Sequence, residues 1–182
     1  GRKAVVWGAI ADTIPDLDIF YGLMIHPIDS LLVHRGFTHS IFFAIIASLG
    51  LGYFLSKWYH KDGASAKEWI LLLALGFFSH LFIDSLTSYG TGLLEPFCNH
   101  RFEYTTIFIA DPAFTFPMLF AFIGLMIKRV NIHAKSKLAI GALIISSLYL
   151  LWTLRNRLIF EKYFQKEYSA QALNIHDHVL SP

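Results

Sequence analysis

Charged residues are scarce in this sequence. The chain has 182 residues, of which 15% are charged and 55% are hydrophobic, whereas a soluble domain usually has about 25% charged residues. A single cysteine, Cys98, excludes an internal disulfide. The net charge of +2 provides no basic surface of the kind that binds nucleic acid. Disorder is also excluded, because disordered chains combine low hydrophobicity with high net charge.

Four stretches contain no Asp, Glu, Lys or Arg at all. A membrane-spanning helix needs about 20 mostly apolar residues, with roughly 17 as the lower bound. The first stretch meets this length by itself, and the others meet it with one more turn. None of them alternates apolar and polar residues with a period of two, so helix is favoured over strand. The stretches are Gly36–Ser56, Trp69–Ile83, Pro112–Ile127 and Leu138–Leu154, and a shorter one, Ala4–Ile14, is interrupted by Asp12.

The pattern predicts an all-α fold, a multi-spanning transmembrane bundle of about four to five helices. We expect residues 1–154 to form this membrane domain and residues 155–182 to begin a soluble, membrane-proximal region. The chain starts at Gly1 and not at Met, so we expect it to be a piece of a longer protein. A soluble enzyme with four buried helices is the alternative, but little polar sequence lies between the stretches to cover them.

The basic residues of the connections indicate an orientation. If the helices alternate in direction, the N-terminal Arg2 and Lys3 and the connections Lys57–Lys67 and Lys128–Lys137 lie on one side of the membrane. The positive-inside rule places that side in the cytoplasm. The opposite side, predicted to be periplasmic, receives residues 12–35 and 85–110 and the chain after Leu154.

Most of the unusual ionisable residues fall on this second side. They occur in four short motifs, at Pro15–Asp18, His34–Ser40, His80–Asp84 and Asp111–Pro112. Ionisable groups in or beside a membrane span are costly and indicate function by default. The clustering on one face therefore predicts a site at the membrane edge.

The residue types and spacings in these motifs suit a metal ion. His80 and Asp84 are four residues apart and share one face of a helix. Asp16 and Asp18 can converge on a cation if the turn after Pro15 is extended. Imidazole and carboxylate together suit Zn, Mn or Fe better than Ca, and the set is large enough for one or two ions per chain. The predicted ligands are Asp16, Asp18, His34, His39, His80 and Asp84.

Each motif also has a simpler interpretation. Asp16 and Asp18 are common turn and cap residues, and Asp111 before Pro112 is a good helix N-cap. His80 and Asp84 can form a hydrogen-bonded pair within one helix. Arg35 can anchor the chain at the interface. Only the occurrence of all of them on one face favours a metal or catalytic site.

Several of these motifs carry a resemblance to a known family. The sequence resembles the bacterial inner-membrane predicted metal-dependent hydrolase family, also described as LexA-regulated or LexA-binding, over roughly residues 1–130. The resemblance implies a multi-pass protein of the bacterial inner membrane, with further sequence before Gly1 and a soluble C-terminal region. The motifs that carry it are Gly8–Ile10, Pro15–Asp18, His34–Ser40, His80–Gly90, Arg101–Phe102 and Asp111–Pro112.

Together the motifs and the resemblance predict a membrane-embedded metal-dependent hydrolase acting on an ester or phosphoester. Arg35 and Arg101 would stabilise negative charge on the substrate, and Asp111 would be a further ligand, an orienting residue or a general base. Thr38, Ser40 and Thr87 would orient ligands. A site at the bilayer edge favours a lipid or lipid-linked substrate.

Two other functions use the same residues. In an ion- or proton-coupled transporter they would form a cation path, although the polar residues collect at one face and do not continue through the bilayer. In a membrane interaction protein they would hold a structural metal clamp. A bound metal with an open water position would favour the enzyme over the clamp.

Overall fold

The fold is all-α, as the sequence predicts. The computed structural model describes residues 2–24, 26, 34–127 and 131–170, and these contain no strand, only an isolated antiparallel bridge between Thr91 and Phe102. The predicted site residues all lie in the described ranges. The helices are α1 (Arg2–Thr13), α2 (Asp18–Gly22), α3 (Ile41–Trp58), α4 (Ala66–Ser85), α5 (Pro112–Met126) and α6 (Ile132–Ala170), with single 3-10 turns at Pro15–Leu17, Phe37–His39 and His60–Asp62.

Helices α3, α4 and α6 are each long and apolar enough to cross a membrane, and α5 is a shorter apolar helix. The first predicted span, Gly36–Ser56, starts five residues before the helix itself. The helix begins at Ile41 because the Ser40 side chain caps it by accepting a hydrogen bond from the backbone N–H of Phe43. Many large apolar side chains on these helices are exposed, as expected of surfaces that face lipid.

The chain divides into two compact units. The first comprises residues 1–85 and 89–103. Within it, α4 packs against both α1 and α3. Small residues allow this close approach, since a Cβ on Gly76 would lie 2.9 Å from Cβ of Ala11 and a Cβ on Gly52 would lie 2.7 Å from Cα of Ile70. The core consists of Ala11, Ala44, Leu55, Trp69, Leu73, Phe77 and Leu81.

The two ends of this unit differ in charge. Helices α3 and α4 pack together and are joined by the short segment 59–65, so they run antiparallel. The start of α3 and the end of α4 therefore lie at the same end of the unit. The lysine-rich connection Lys57–Lys67 lies at the other end, where Nζ of Lys3 also sits 4.5 Å from the ring centre of Tyr59.

The second unit comprises residues 86–88 and 104–182, and in it α5 packs against α6. With 39 residues, α6 is about 58 Å long at about 1.5 Å per residue, whereas the hydrocarbon core of a bilayer is about 30 Å thick. The helix passes without a break through the predicted boundary at position 154. The division of the chain into residues 1–154 and 155–182 stays a prediction, and residues 171–182 lie outside the described ranges.

The start of α6 modifies the predicted connection Lys128–Lys137. Lys135 and Lys137 belong to the first turns of the helix, and the ammonium group of Lys135 donates a hydrogen bond of 2.8 Å to the carbonyl of Leu125 at the end of α5. Lys128 and Arg129 lie outside the described residues.

Candidate metal centre

The two aspartates after α1 lie in a helical turn and not in an extended one. Pro15 starts a 3-10 turn that ends at Leu17, and α2 begins at Asp18. Two residues that are two apart in a helical turn point in different directions. The side chain of Asp16 is 46% exposed, whereas that of Asp18 is only 4% exposed. The two carboxylates therefore do not converge on one point, contrary to the prediction.

A second turn, between Arg35 and Ser40, buries His39. Arg35 adopts a positive φ of 61°, a strained conformation for a residue other than glycine, of the kind that occurs at functional sites. The backbone then forms the Phe37–His39 turn, and the Ser40 hydroxyl donates to the carbonyl of Phe37. The imidazole of His39 is completely buried.

Helix α4 supplies the remaining residues from its last two turns. His80 and Asp84 share one face of the helix, as their spacing predicts, and Nε2 of His80 lies 3.5 Å from Oδ2 of Asp84. Both side chains are largely buried. Since α4 packs on both α1 and α3, this helix face meets the two turns described above.

The structure brings four of the six predicted ligands into one group, Asp16, His39, His80 and Asp84. One nitrogen or oxygen atom from each lies within 4.8 Å of those from the other three. Nε2 of His39 is 3.2 Å from Oδ1 of Asp16 and 3.3 Å from Oδ2 of Asp84. Donors that bind one Zn-like ion lie roughly 3–4 Å apart, so the spacing suits a metal ion. We call these residues the four-residue site.

The orientation of His39 suits metal binding. The hydroxyl of Thr38 donates its proton to Oδ2 of Asp18 at 2.8 Å, so its oxygen accepts from Nδ1 of His39 at 3.1 Å. Nδ1 therefore carries the proton in neutral His39. The lone pair is on Nε2, which faces the metal-binding atoms of the other three residues. A histidine ligand that is held through its second nitrogen in this way is typical of metal sites.

His80 provides a further test of fit. Its Nε2 is buried and makes no hydrogen bond with any other described residue, although carboxylate oxygens of Asp16 and Asp84 lie 3.6 Å and 3.5 Å away. A buried polar atom without a hydrogen bond is costly. A divalent cation among the two carboxylates and two imidazoles would satisfy this nitrogen and balance the negative charge, so the residues fit a metal ion.

Asp18 and His34, also predicted as ligands, lie beside the four-residue site and not in it. Oδ1 of Asp18 is 2.8 Å from Nδ1 of His34, and Oδ2 accepts from the backbone N–H of Arg35 at 3.2 Å as well as from Thr38. Both oxygens are therefore engaged, and Asp18 supports His39 from behind. The sequence predicts that Asp16 and Asp18 can bind the same ion, but the helical turn between the two residues separates their carboxylates.

The hydrogen bonds also shift the acidity of these aspartates. When His39 is protonated, its Nε2 donates a hydrogen bond to Asp16, and this bond lowers the pKa of Asp16 below its ordinary value, against the opposing effect of burial. Burial raises the pKa of Asp18, but hydrogen bonds from His34, His39 and Thr38 outweigh it, and the pKa is well below its usual range. Both side chains are thus carboxylates at neutral pH.

The two arginines that are predicted to stabilise charge on the substrate contact other residues of the protein. Nη2 of Arg35 lies 3.5 Å from Oδ1 of Asp84, and the guanidinium lies over the ring of Tyr89. Nη1 of Arg101 donates to the carbonyl of His34 at 3.1 Å, and Nη2 lies 3.8 Å from Glu95. Arg35 supports a predicted ligand, and Arg101 ties the 89–103 loop to the turn before His39. Their contact with a substrate stays a prediction.

Asp111 belongs to the second unit, where both its oxygens are occupied. Oδ1 caps α5 by accepting from the backbone N–H groups of Ala113 and Phe114, and Oδ2 accepts from the hydroxyl of Tyr149 on α6 at 2.7 Å. These contacts match the simpler interpretation of Asp111 as an N-cap. Its predicted catalytic role stays a prediction. Thr87 also lies in the second unit.

Asp12 is not among the site residues that the sequence predicts. This residue lies on α1, one turn before Asp16, and it interacts electrostatically with His80, Asp16 and Asp84. A carboxylate in an otherwise apolar stretch, four residues before another, is the signal that identifies it. Asp12 places a further carboxyl group next to the four-residue site.

Comparison with known proteins places these residues in a family context. The model of a family described as the YdjM inner membrane protein matches residues 1–160, which include all the site residues discussed above. The inner membrane protein YbcI of Escherichia coli strain K12 is 33% identical over 97 residues, which are 52% of this chain and 54% of that protein. The matched region thus spans about half the length of this curated relative. No solved structure matches the chain.

Proposed function

We propose, from the premise that the chain belongs to the YdjM inner membrane protein family, that it is a membrane-embedded metal-dependent hydrolase. The chain is a multi-pass inner membrane protein of bacterial type, and it carries a group of four residues suited to a metal. The proposed reaction is hydrolysis of an ester or phosphoester, in which water adds across the bond and yields an acid and an alcohol. The proposed substrate is a lipid or a lipid-linked molecule.

The observation that carries the proposal is the four-residue site itself. Two imidazoles and two carboxylates from three separate parts of the chain meet within 4.8 Å. Burying such groups at the end of apolar helices costs free energy, and a core of aliphatic side chains at the same place would cost less. The arrangement is therefore better explained by a bound cation than by packing.

Each residue has a defined part in this proposal. Asp16, His39, His80 and Asp84 hold the ion, which when bound lowers the pKa of a water and polarises the ester. Asp18 and Thr38 fix the tautomer of His39. Arg35 holds Asp84 in place. Asp16 is the one ligand of the four that is nearly half exposed, so water and substrate would approach from its side.

We also propose that the site faces the periplasm. The lysine-rich connection Lys57–Lys67 lies at the opposite end of the first unit from His39 and Asp84. Basic connections stay in the cytoplasm, so the end that carries the four-residue site faces outward. A periplasmic site at the bilayer surface has access to the lipids of the outer leaflet.

A structural metal clamp is the second candidate, and the number of ligands favours it. Structural zinc sites are closed by four protein ligands, whereas catalytic sites have three and leave one position for water. The site offers four donors. It becomes catalytic if the exposed Asp16 leaves the ion, or if the coordination number rises to five.

The test combines metal content and hydrolysis. The full chain is purified in detergent, loaded with Zn²⁺, Mn²⁺ or Fe²⁺, and assayed on 4-nitrophenyl phosphate and 4-nitrophenyl acetate. The proposal predicts hydrolysis that EDTA abolishes and that His80→Ala and Asp84→Ala lose together with the metal. His60→Ala is the matched control, because His60 is exposed on the lysine-rich side and lies in a different turn.

Two results would contradict the enzyme. A protein that binds the metal stoichiometrically but hydrolyses neither substrate, with Asp16→Ala losing metal as completely as His80→Ala, supports the closed clamp. A protein that binds no metal at any of the three additions overturns both candidates.

A further inference from the structure

The distances within the four-residue site indicate how many ligands its ion would have. Nε2 of His39 is 3.2 Å from Oδ1 of Asp16 and 3.3 Å from Oδ2 of Asp84. Nε2 of His80 is 3.6 Å and 3.5 Å from the same two oxygens. In a tetrahedron two donors are separated by about 1.6 times the bond length, so bonds of about 2.0–2.2 Å give separations of about 3.3–3.6 Å. An octahedral ion such as Mg²⁺, with bonds of about 2.0–2.1 Å, has neighbouring donors only about 2.8–3.0 Å apart, so the measured separations favour a tetrahedral ion.

The two oxygens of Asp84 have different neighbours. Oδ2 faces both imidazoles of the site, whereas Oδ1 lies 3.5 Å from Nη2 of Arg35. Because the guanidinium attracts Oδ1, Asp84 offers one oxygen to an ion and not two. Carboxylates that bind through both oxygens occur in sites with six to eight ligands, such as those of Ca²⁺. The contact with Arg35 therefore keeps the number of ligands low.

Arg35 is itself fixed from several sides. Its side chain is only 3% exposed, and the guanidinium lies 5.0 Å from the centre of the Tyr89 ring, a distance at which a cation and an aromatic ring attract each other. Its backbone N–H donates to Oδ2 of Asp18, and its carbonyl accepts from the N–H of Gly92 at 2.8 Å. The guanidinium is thus held beside Asp84 by contacts of both its side chain and its backbone.

We propose that the four-residue site takes a tetrahedral Zn²⁺ ion and that Arg35 determines this choice by keeping one oxygen of Asp84 off the ion. The inference rests on the metal-binding part of the proposed function, and it applies to the hydrolase and to the clamp alike. Four ligands that include imidazole suit Zn²⁺, whereas Mn²⁺ prefers an octahedron of oxygen ligands. Without Arg35, Asp84 binds through both oxygens, which adds a ligand and favours the ion with the larger number of ligands. Arg35 is a positioning residue in this proposal.

The test compares affinities for two ions. The full chain is purified in detergent and titrated with Zn²⁺ and with Mn²⁺ against chromogenic chelators. Sites with imidazole bind Zn²⁺ more tightly than Mn²⁺ in any case, so the informative quantity is the ratio of the two affinities. Arg35→Gln should lower the Zn²⁺ affinity roughly 10–100-fold, as the loss of an orienting residue does, and the Mn²⁺ affinity much less. The ratio should therefore fall by about tenfold or more.

Three further variants separate this role from a general loss of structure. Arg35→Lys keeps a positive charge beside Oδ1 and should retain most of the ratio. Arg157→Gln is the matched control and should leave the ratio unchanged, because Arg157 also lies over a tyrosine ring, 6.0 Å from the centre of Tyr104, but belongs to the second unit. Tyr89→Ala covers a failure of Arg35→Gln to fold. The Tyr89 ring is 58% exposed, and its loss loosens the guanidinium and should lower the ratio about two- to fivefold.

Substitution with Co²⁺ measures the coordination directly. Tetrahedral Co²⁺ absorbs visible light much more strongly than octahedral Co²⁺, so the Co²⁺-loaded wild type should show intense bands and Arg35→Gln much weaker ones. The inference is overturned if the wild type shows the weak octahedral bands. It is equally overturned if folded Arg35→Gln, or Tyr89→Ala in its place, keeps the wild-type ratio of affinities.

The same titrations separate the inference from the proposed function. Tight Zn²⁺ binding by the wild type with an unchanged ratio in Arg35→Gln overturns the role of Arg35 and supports the proposed metal site. A lowered ratio in Arg35→Gln, without hydrolysis of the 4-nitrophenyl substrates by the wild type, supports the inference and overturns the hydrolase. A wild type that binds neither ion overturns both.

Discussion

The role of Asp18 separates the structure from the sequence prediction most sharply. The sequence predicts Asp18 to be a metal ligand, whereas the structure has it accept hydrogen bonds from the Arg35 backbone and from Thr38, with His34 on its other oxygen. If it only orients His39, then Asp18→Asn and Asp18→Ala should weaken metal binding without abolishing it.

The expected size follows from what each substitution leaves. Removing a residue that orients a ligand typically costs 10–100-fold in metal affinity, or about 1.4–2.7 kcal/mol. Asn keeps one acceptor oxygen for the donors around Oδ2, but it loses the charge and places an NH2 group toward His34, so we expect about tenfold. Ala removes the acceptor, and His39 is then free to change tautomer, so we expect about 100-fold. Loss of a ligand itself, in His80→Ala, should cost more than either.

The assay is competition for Zn²⁺ between the detergent-purified protein and a chromogenic chelator. Glu68→Gln is the matched control, since it removes a carboxylate charge at the far end of α4 and Gln can still cap the helix there. The reasoning is refuted if Asp18→Asn loses as much affinity as His80→Ala, which would make Asp18 a ligand. It is equally refuted if Asp18→Ala binds as tightly as the wild type.

Three further predictions concern packing, capping and orientation. Gly76→Ala should destabilise the protein by about 1–3 kcal/mol in thermal unfolding, because its Cβ would lie 2.9 Å from a side chain and 3.0 Å from a carbonyl oxygen of α1. The control Gly50→Ala meets nothing within 4 Å and should be neutral or slightly stabilising. Equal effects of the two substitutions would contradict the close packing of α4 on α1. Asp111→Ala should cost about 1–2 kcal/mol through the lost cap with metal content unchanged, and a loss of metal or of hydrolysis at full stability would instead support its predicted catalytic role. In a background without the native cysteine, a membrane-impermeant thiol reagent added outside the cell should label Tyr89→Cys and not Lys61→Cys, and the reverse pattern would overturn the orientation.

Local patterns in the sequence predict the helices and part of the site. Apolar runs locate α3, α4 and α5 to within a few residues, because hydrophobic length is a strong signal in a membrane protein. The four-residue spacing of His80 and Asp84 places both on one face of α4, because helix geometry alone determines it.

The remaining features depend on contacts that no local pattern contains. Whether Asp16 and Asp18 converge depends on the turn after Pro15, which is helical and separates them. Asp111 is paired with Tyr149, which is 38 residues away in the sequence, so its second oxygen could not be assigned from the Asp-Pro motif. The last apolar stretch stops at Leu154, yet the backbone continues as helix to Ala170, because helix formation does not require an apolar face.

The most direct test of the central claim is elemental analysis of the purified wild-type chain beside His80→Ala. We predict a stoichiometric amount of Zn, Mn or Fe in the wild type and a loss of most of it in the variant, at equal yield and helix content. Wild-type protein without transition metal after loading, or a variant that retains the full wild-type content, would contradict the account.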